Sequence, residues 1–136
     1  MKAPRYILGT DICIYTVKRK PPSVLARLER LRSGDAALSV ITFGELQFGA
    51  AKSRKRDDVL RALDELTAIL PVLELPRDAG VHYGAVRAAL EAAGRTIGGN
   101  DLWIAAHARS MRLTLITNNE REFARVPGLA VENWAK

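Results

Sequence analysis

Short β-prone runs alternate with helix-period stretches along the chain, and this alternation constrains the fold more than any other feature. The predicted strands are residues 5–9, 36–41, 71–75, 113–117 and 129–133. The stretches between them place apolar residues three or four apart, as at Leu60, Leu63 and Leu66, which is typical of amphipathic helices. Strands that alternate with helices pair in parallel through right-handed crossovers. The sequence therefore predicts an α/β fold, a three-layer α/β/α sandwich with a mainly parallel five-stranded sheet.

Length, composition and charge narrow the class of protein. The chain has 136 residues, of which 48% are hydrophobic and 26% charged, and this predicts a single domain over residues 1–136. A net charge of +6 favours a polyanionic partner. The one cysteine, Cys13, excludes an internal disulfide and a multi-thiolate metal site. No run approaches the ~18 uninterrupted apolar residues of a membrane span, so we expect a cytoplasmic protein with no membrane association.

Acidic side chains follow the predicted strands. Asp11 follows the first strand, Glu45 the second, and Asp101 opens a late helix, while Glu120 and Glu122 follow the fourth strand. The carboxyl ends of parallel strands form the ligand crevice in such sheets, so these carboxylates could converge. Carboxylates brought together without a counter-charge raise one another's pKa, which favours a bound cation, and oxygen ligands select Mg²⁺ or Mn²⁺. In a basic protein, this pattern predicts phosphodiester hydrolysis by a water that the ion activates.

A purely structural interpretation explains several of the same residues. The segments 42–45 and 117–120 both match the capping box, in which a glutamate bonds back to the start of its helix. Asp101 in a first helical turn would also be stabilised by the helix dipole. The other side chains that could carry chemistry are expected to pack rather than react: His82, His107, Trp103, Trp134 and Cys13.

Four segments, in this order, are typical of one known family: YILGTDICIY, SVITFGELQFGAAKS, GGNDLWIAAHA and LITNNEREFARVPGLAVENW. They resemble the VapC toxins of the PIN-domain ribonucleases, and the resemblance covers nearly the whole chain. It implies a Mg²⁺-dependent endoribonuclease toxin that cleaves structured RNA, with the anticodon region of initiator tRNA as the suggested substrate. It further implies a homodimer that is inhibited by a VapB-type antitoxin, seated in an apolar groove between helices. Operator DNA would be bound only through that antitoxin.

The resemblance also assigns site residues, with one departure. It implies that Glu45 and Asp101 are metal ligands, and that Asn119 takes a fourth position that is often Asp in the family. The first acid is missing, because the family's Leu-Asp-Thr-Asn is Leu-Gly-Thr-Asp here, and Gly9 has no side chain to bind a metal. Asp11, two residues later, could reach the ion in its place. Alternatively, Asp11 caps the first helix and the site is impaired.

Three functions remain open at this point. The leading one is a metal-dependent endoribonuclease toxin, and the alternative is a catalytically impaired PIN-fold binding module that still binds antitoxin and RNA. A phospho-acceptor signalling domain would also place acids at strand ends. It fits poorly, because it needs an aspartate directly after a central strand, whereas residues 71–75 run into Pro76 and residues 113–117 into Asn118.

Overall fold

A computed structural model describes residues 3–136. The strands are β1 (Tyr6–Leu8), β2 (Ala36–Ser39), β3 (Val72–Leu73), β4 (Thr114–Ile116) and β5 (Val131–Glu132). The helices are α1 (Thr10–Lys18), α2 (Pro22–Glu29), α3 (Val40–Ala51), α4 (Arg56–Ile69), α5 (Arg77–Ala92), α6 (Gly99–Ser110) and α7 (Glu120–Phe123). All strand pairs are parallel, and the sheet order is β3-β2-β1-β4-β5. The predicted α/β fold with a parallel five-stranded sheet is confirmed.

The sheet separates two apolar clusters, which gives the predicted three layers. Adjacent residues of β1 enter different clusters, because successive side chains of a strand point to opposite faces. Leu8 packs with buried residues of α1, α2, α3 and α4. Ile7 packs with buried residues of α5, α6 and α7. Both faces of the sheet are therefore covered by helices, and the open crevice lies at the carboxyl ends of the strands.

The strands are shorter than predicted, and β2 shows why. The apolar run 36–41 continues past the end of β2, but Ser39 caps α3 by accepting a hydrogen bond from the Ile41 N–H at 3.1 Å. An amide left free at the helix start is thereby satisfied. Val40 and Ile41 are helical despite their β-branched side chains, so the helix includes the last two residues of the predicted strand.

The side chains expected to pack do so. Cys13, His107 and Trp134 are buried, and the His107 Nδ1 atom lies 2.8 Å from the Ser39 Oγ atom. Trp103 stacks on Tyr83 with 3.9 Å between ring centroids. His82 lies 3.4 Å from Asp78 on the same helix.

None of the helices within residues 3–136 has the combined length and hydrophobicity that crossing a bilayer requires.

Candidate active site

The predicted site residues line one cleft at the carboxyl ends of β1 and β4. The cleft has a volume of about 320 Å³, and its lining includes Asp11, Glu45, Asp101 and Asn119. Asp11 lies in the first turn of α1 and Asp101 in the first turn of α6, whereas Glu45 is the sixth residue of α3. The convergence expected from parallel topology is therefore present in the structure.

Asp101 is the most strongly perturbed carboxyl group of the cleft. Burial, followed by the negative charges of Glu45, Glu122 and Asp11 in that order, raises its pKa to about 6. Each of these influences disfavours the ionised form. The cleft thus concentrates negative charge around a half-buried carboxylate, and a cation bound there would relieve that repulsion.

Glu45 is oriented by donors from two other elements. The Thr10 hydroxyl donates to Glu45 Oε1 at 2.6 Å, and the Asn100 side-chain amide donates to Oε2 at 3.4 Å. Thr42 lies inside α3, with its Oγ1 atom 3.1 Å from that of Thr10. Since the helix cap is Ser39, the capping-box interpretation of segment 42–45 is wrong. Glu45 is held by contacts across the cleft instead.

Asp11 joins the start of α1 to the loop between β4 and α7. Its Oδ1 atom accepts a hydrogen bond from the Ile12 N–H at 2.8 Å. Its Oδ2 atom accepts from the Asn118 N–H at 2.9 Å and from the Thr117 hydroxyl at 3.3 Å. The sequence left two roles open for Asp11, a ligand in place of the first acid or a cap of the first helix. In the structure the Asp11 carboxylate both contacts the start of α1 and lines the cleft.

Gly9 leaves space that the Asp11 carboxylate occupies. A Cβ atom built on Gly9 would lie 3.0 Å from Asp11 Oδ1 and 3.0 Å from the Ile116 carbonyl oxygen. Both distances are tighter than ordinary van der Waals contact. The family pattern has its first acid at position 9, whereas this chain has Asp11 two residues later. The Asp11 carboxylate nevertheless lies next to the place that the Cβ of a side chain at position 9 would take.

The two glutamates that follow β4 have different surroundings. The Asn119 side-chain amide donates to Glu122 Oε2 at 2.8 Å, and Glu122 is one of the charges that raise the pKa of Asp101. Glu120 is instead bound by Asn133 and Lys136, whose hydrogen bonds lower its pKa. The capping-box interpretation of segment 117–120 is also wrong, since α7 begins at Glu120 and its cap is Asn119, not Thr117. Glu122, one of the two acids predicted to follow the fourth strand, belongs to the electrostatics of the cleft.

The donor set fits a hard divalent cation by its chemistry and charge. The polar groups that line the cleft are carboxylates, hydroxyls and an amide, which supply oxygen ligands. Across residues 3–136, however, no three acidic, histidine or cysteine side chains are gathered closely enough to form a ready-made metal site. Hydrogen bonds from Thr10 and from the Asn118 N–H hold Glu45 and Asp11 in their present positions. The residues therefore fit a divalent ion by their oxygen donors and their negative charge.

Comparison with known proteins identifies the class. The PIN domain model matches residues 6–129, and the chain belongs to the PIN-domain family. Ribonucleases of this family generally depend on a divalent metal ion, in agreement with the oxygen donors of the cleft.

Individual relatives match over almost their full length. The chain is 40% identical to "Ribonuclease VapC2" of Rickettsia felis and 41% identical to "tRNA(fMet)-specific endonuclease VapC" of Shigella flexneri, and each match covers 96% of this chain and 98% of the relative. It is also similar to the solved structure of VapBC2 from Rickettsia felis bound to a DNA fragment from their promoter. That likeness has a TM-score of 0.89, 40% identity, and coverage of 95% of this chain and 98% of the other.

Proposed function

We propose that the chain is a Mg²⁺-dependent endoribonuclease toxin that cleaves structured RNA, with tRNA as substrate. The observation that carries this proposal is the cleft itself, in which Asp101, Glu45, Asp11 and Asn119 converge within a PIN domain. Relatives named as ribonucleases and as a tRNA(fMet)-specific endonuclease support the substrate class. The ion would be Mg²⁺, or Mn²⁺ in its place.

Each side chain has a distinct part in this proposal. Asp101, Glu45 and Asp11 hold the ion, which when bound would polarise the phosphodiester and lower the pKa of a water molecule. Thr10 fixes the direction of the Glu45 carboxylate through its 2.6 Å hydrogen bond. Asn119 faces the cleft and holds Glu122, so its amide is placed to orient water or RNA. Basic side chains of a protein with net charge +6 would position the RNA backbone.

Asp11 takes the part of the missing first acid. Its Oδ1 atom is only 3.0 Å from the position of a Cβ on residue 9, and its charge contributes to the raised pKa of Asp101. Both of its oxygens accept hydrogen bonds from backbone amides. A carboxylate oxygen has more than one lone pair, so these hydrogen bonds leave room for ligation.

Cleavage of a defined tRNA pool by antitoxin-free protein, with Mg²⁺ or with EDTA, tests the proposal. We expect EDTA-sensitive cleavage by the wild type and losses of about 100-fold or more in Asp101→Asn and Asp11→Asn, since each removes a charged ligand. Folding of each variant is checked by circular dichroism. A folded Asp101→Asn protein that cleaves at the wild-type rate would reject the metal site.

A catalytically impaired binding module is the second candidate, and it rests on Gly9. If Asp11 is committed to its two backbone hydrogen bonds, the ion lacks one ligand. Cleavage that is absent from the wild type and gained in Gly9→Asp would establish this alternative. Equal, EDTA-sensitive cleavage in both would mean that Asp11 or another group takes the first ligand position in the wild type. A gel-shift assay with tRNA then measures whether the inactive chain still binds RNA.

The partners follow from the same relatives. We propose that a VapB-type antitoxin binds this chain, that operator DNA is contacted only through the antitoxin, and that the chain is a cytoplasmic homodimer forming a single domain over residues 1–136.

A second and larger cavity, of about 480 Å³, lies between α2 and α4 and is lined mainly by apolar side chains such as Leu28, Leu66 and Ile69. It suits an apolar helix of the antitoxin. Analytical ultracentrifugation of the chain alone and with antitoxin tests the dimer and the complex.

A further inference from the structure

The C-terminal tail, residues 133–136, is anchored in the core by Trp134. The Trp134 side chain is 1% exposed, and its ring meets that of Tyr6 edge to face at 5.2 Å. The Arg27 guanidinium lies over the indole at 5.0 Å, and the indole N–H donates to Glu132 Oε1 at 3.2 Å. A buried aromatic side chain with a satisfied polar atom has little freedom to move. The residue before it, Asn133, is therefore held in a defined position.

Asn133 uses the whole of its side-chain amide on neighbouring residues. Its Nδ2 atom donates to Asn118 Oδ1 at 2.9 Å and to Glu120 Oε1 at 2.8 Å. Its Oδ1 atom accepts a hydrogen bond from the Ala135 N–H at 2.8 Å. These contacts join the tail to both sides of Asn119, which lines the cleft.

Asn118 links Asn133 to residues of the first helix, including Asp11 of the cleft. Its side-chain amide donates to the Tyr15 hydroxyl at 3.1 Å, and its backbone N–H donates to Asp11 Oδ2 at 2.9 Å. Asn118 and Asn119 are exposed, so the loop that they form has little core packing of its own. A continuous chain of contacts thus runs from the anchored Trp134 through Asn133 and Asn118 to the carboxylate of Asp11.

We infer that Asn133 is a positioning residue that holds the loop 117–119, and through it the Asp11 carboxylate, in the geometry needed for metal binding. The inference rests on the proposed function of the cleft. Loss of the two Nδ2 hydrogen bonds removes the contact to Asn118 Oδ1 and leaves the contact of the Asn118 side chain with Tyr15, so that the backbone donor that fixes Asp11 becomes more mobile. Small displacements of a ligating group are costly, since a shift of about 1 Å can lower a rate by about 100-fold.

Two variants of the full chain separate the loop contacts from the turn in the tail. Asn133→Ala removes every side-chain contact, whereas Asn133→Ser retains an oxygen that can accept from the Ala135 N–H but is too short to bridge Asn118 and Glu120. Glu132→Gln is the matched control, because it removes the charge that pairs with Arg27 at 3.3 Å, keeps a side-chain oxygen that can accept from the Trp134 indole N–H, and leaves Asn133 in place. Urea titration of all three verifies that they fold.

Three readouts are measured: binding of Mn²⁺ alone by electron paramagnetic resonance, the kinetics of tRNA cleavage, and the shift and exchange rate of the Asn118 amide proton by NMR. In both Asn133 variants we expect a threefold to tenfold weaker Mn²⁺ affinity, a kcat lower by about tenfold with KM nearly constant, and faster exchange of the Asn118 amide. Glu132→Gln should match the wild type in all three.

Other results would overturn the inference. Wild-type Mn²⁺ affinity and kcat in a folded Asn133→Ala protein would do so, and so would a loss confined to Asn133→Ala, because it would assign the effect to the turn at Ala135. If the wild type neither binds Mn²⁺ nor cleaves RNA, the proposed function fails. The exchange rate of the Asn118 amide then decides by itself whether Asn133 positions the loop. Faster exchange then supports the positioning of the loop, and unchanged exchange refutes it.

Discussion

Asp101→Asn is expected to raise the free energy of unfolding at about pH 7.5 and to leave it nearly unchanged at about pH 4.5. Burial, and then the charges of Glu45, Glu122 and Asp11, raise the pKa of Asp101 to about 6. An acid whose pKa is higher in the folded than in the unfolded chain binds its proton more tightly when folded. Its ionised form therefore costs stability above pH 6, and the cost disappears as the pH falls from about 6 to about 4.

The size of the effect follows from the raised pKa of Asp101. A rise from an ordinary ~3.9 to about 6 corresponds to at most about 3 kcal/mol. The group is only half-buried, and solvent screening reduces this to ~1 to 1.5 kcal/mol. Asp101 also lies in the first turn of α6, where a negative charge gains ~0.3 to 1 kcal/mol from the helix dipole that asparagine would lose. The expected net gain at pH 7.5 lies between ~0 and ~1.2 kcal/mol, with a midpoint of ~0.6 kcal/mol.

Urea titrations at the two pH values, followed by tryptophan fluorescence, measure this difference. Millimolar Mg²⁺ should stabilise the wild type more than Asp101→Asn, because an ion bound to the folded state shifts the equilibrium towards it. Asp57→Asn is the matched control, since Asp57 is an exposed acid in the first turn of α4 and should lose only the dipole contribution. An Asp101→Asn protein that is equally destabilised at both pH values would refute the argument that the carboxylates of the cleft repel one another.

Three further predictions concern packing around the sheet. Burial raises the pKa of Cys13 to about 12, so its thiol should resist a disulfide reagent at pH 8 until urea unfolds the chain, and rapid labelling of the native protein would contradict its burial. Burial lowers the pKa of His107, so the wild type should lose stability as the pH falls below the unfolded value of ~6.5, and His107→Gln should lose less on the same acid titration. Trp134→Ala should cost ~3 to 5 kcal/mol in urea titrations because it empties a buried site, and a cost below ~1 kcal/mol would contradict its role as an anchor.

Much of the fold could be predicted because its signals are local. Short segments of the sequence are enough to predict the alternation of strands and helices and the break at Pro21-Pro22 between α1 and α2. The order β3-β2-β1-β4-β5 could not be predicted, since no short window specifies which strands pair. The strand ends were also misplaced, because the side-chain oxygen of Ser39 starts α3 inside an apolar run.

The site was predictable only as far as topology determines it. Parallel strands bring Asp11, Glu45 and Asp101 to one edge whatever their rotamers. The hydrogen bonds that orient these groups join residues as much as 107 positions apart, as in the contact between Asn118 and Asp11. Contacts between residues so far apart in the sequence cannot be predicted from the spacing of residues within a motif. Glu122 was among the acids predicted at this edge, and its hydrogen bond with Asn119 fits their separation of three residues, which is the spacing of neighbours on a helix.

Gly9 and Asp11 are best understood as one feature. The backbone of Gly9 has φ −65° and ψ 163°, which any residue adopts, so the requirement for glycine comes from space and not from conformation. Gly9→Ala adds only a Cβ, 3.0 Å from both the Asp11 carboxylate and the fixed Ile116 carbonyl. Since the backbone oxygen cannot yield easily, the Asp11 carboxylate must shift by a few tenths of an ångström. If Asp11 is the substitute ligand, this one methyl group weakens Mn²⁺ binding although it removes no ligand, and unchanged affinity would mean that Asp11 does not hold the ion.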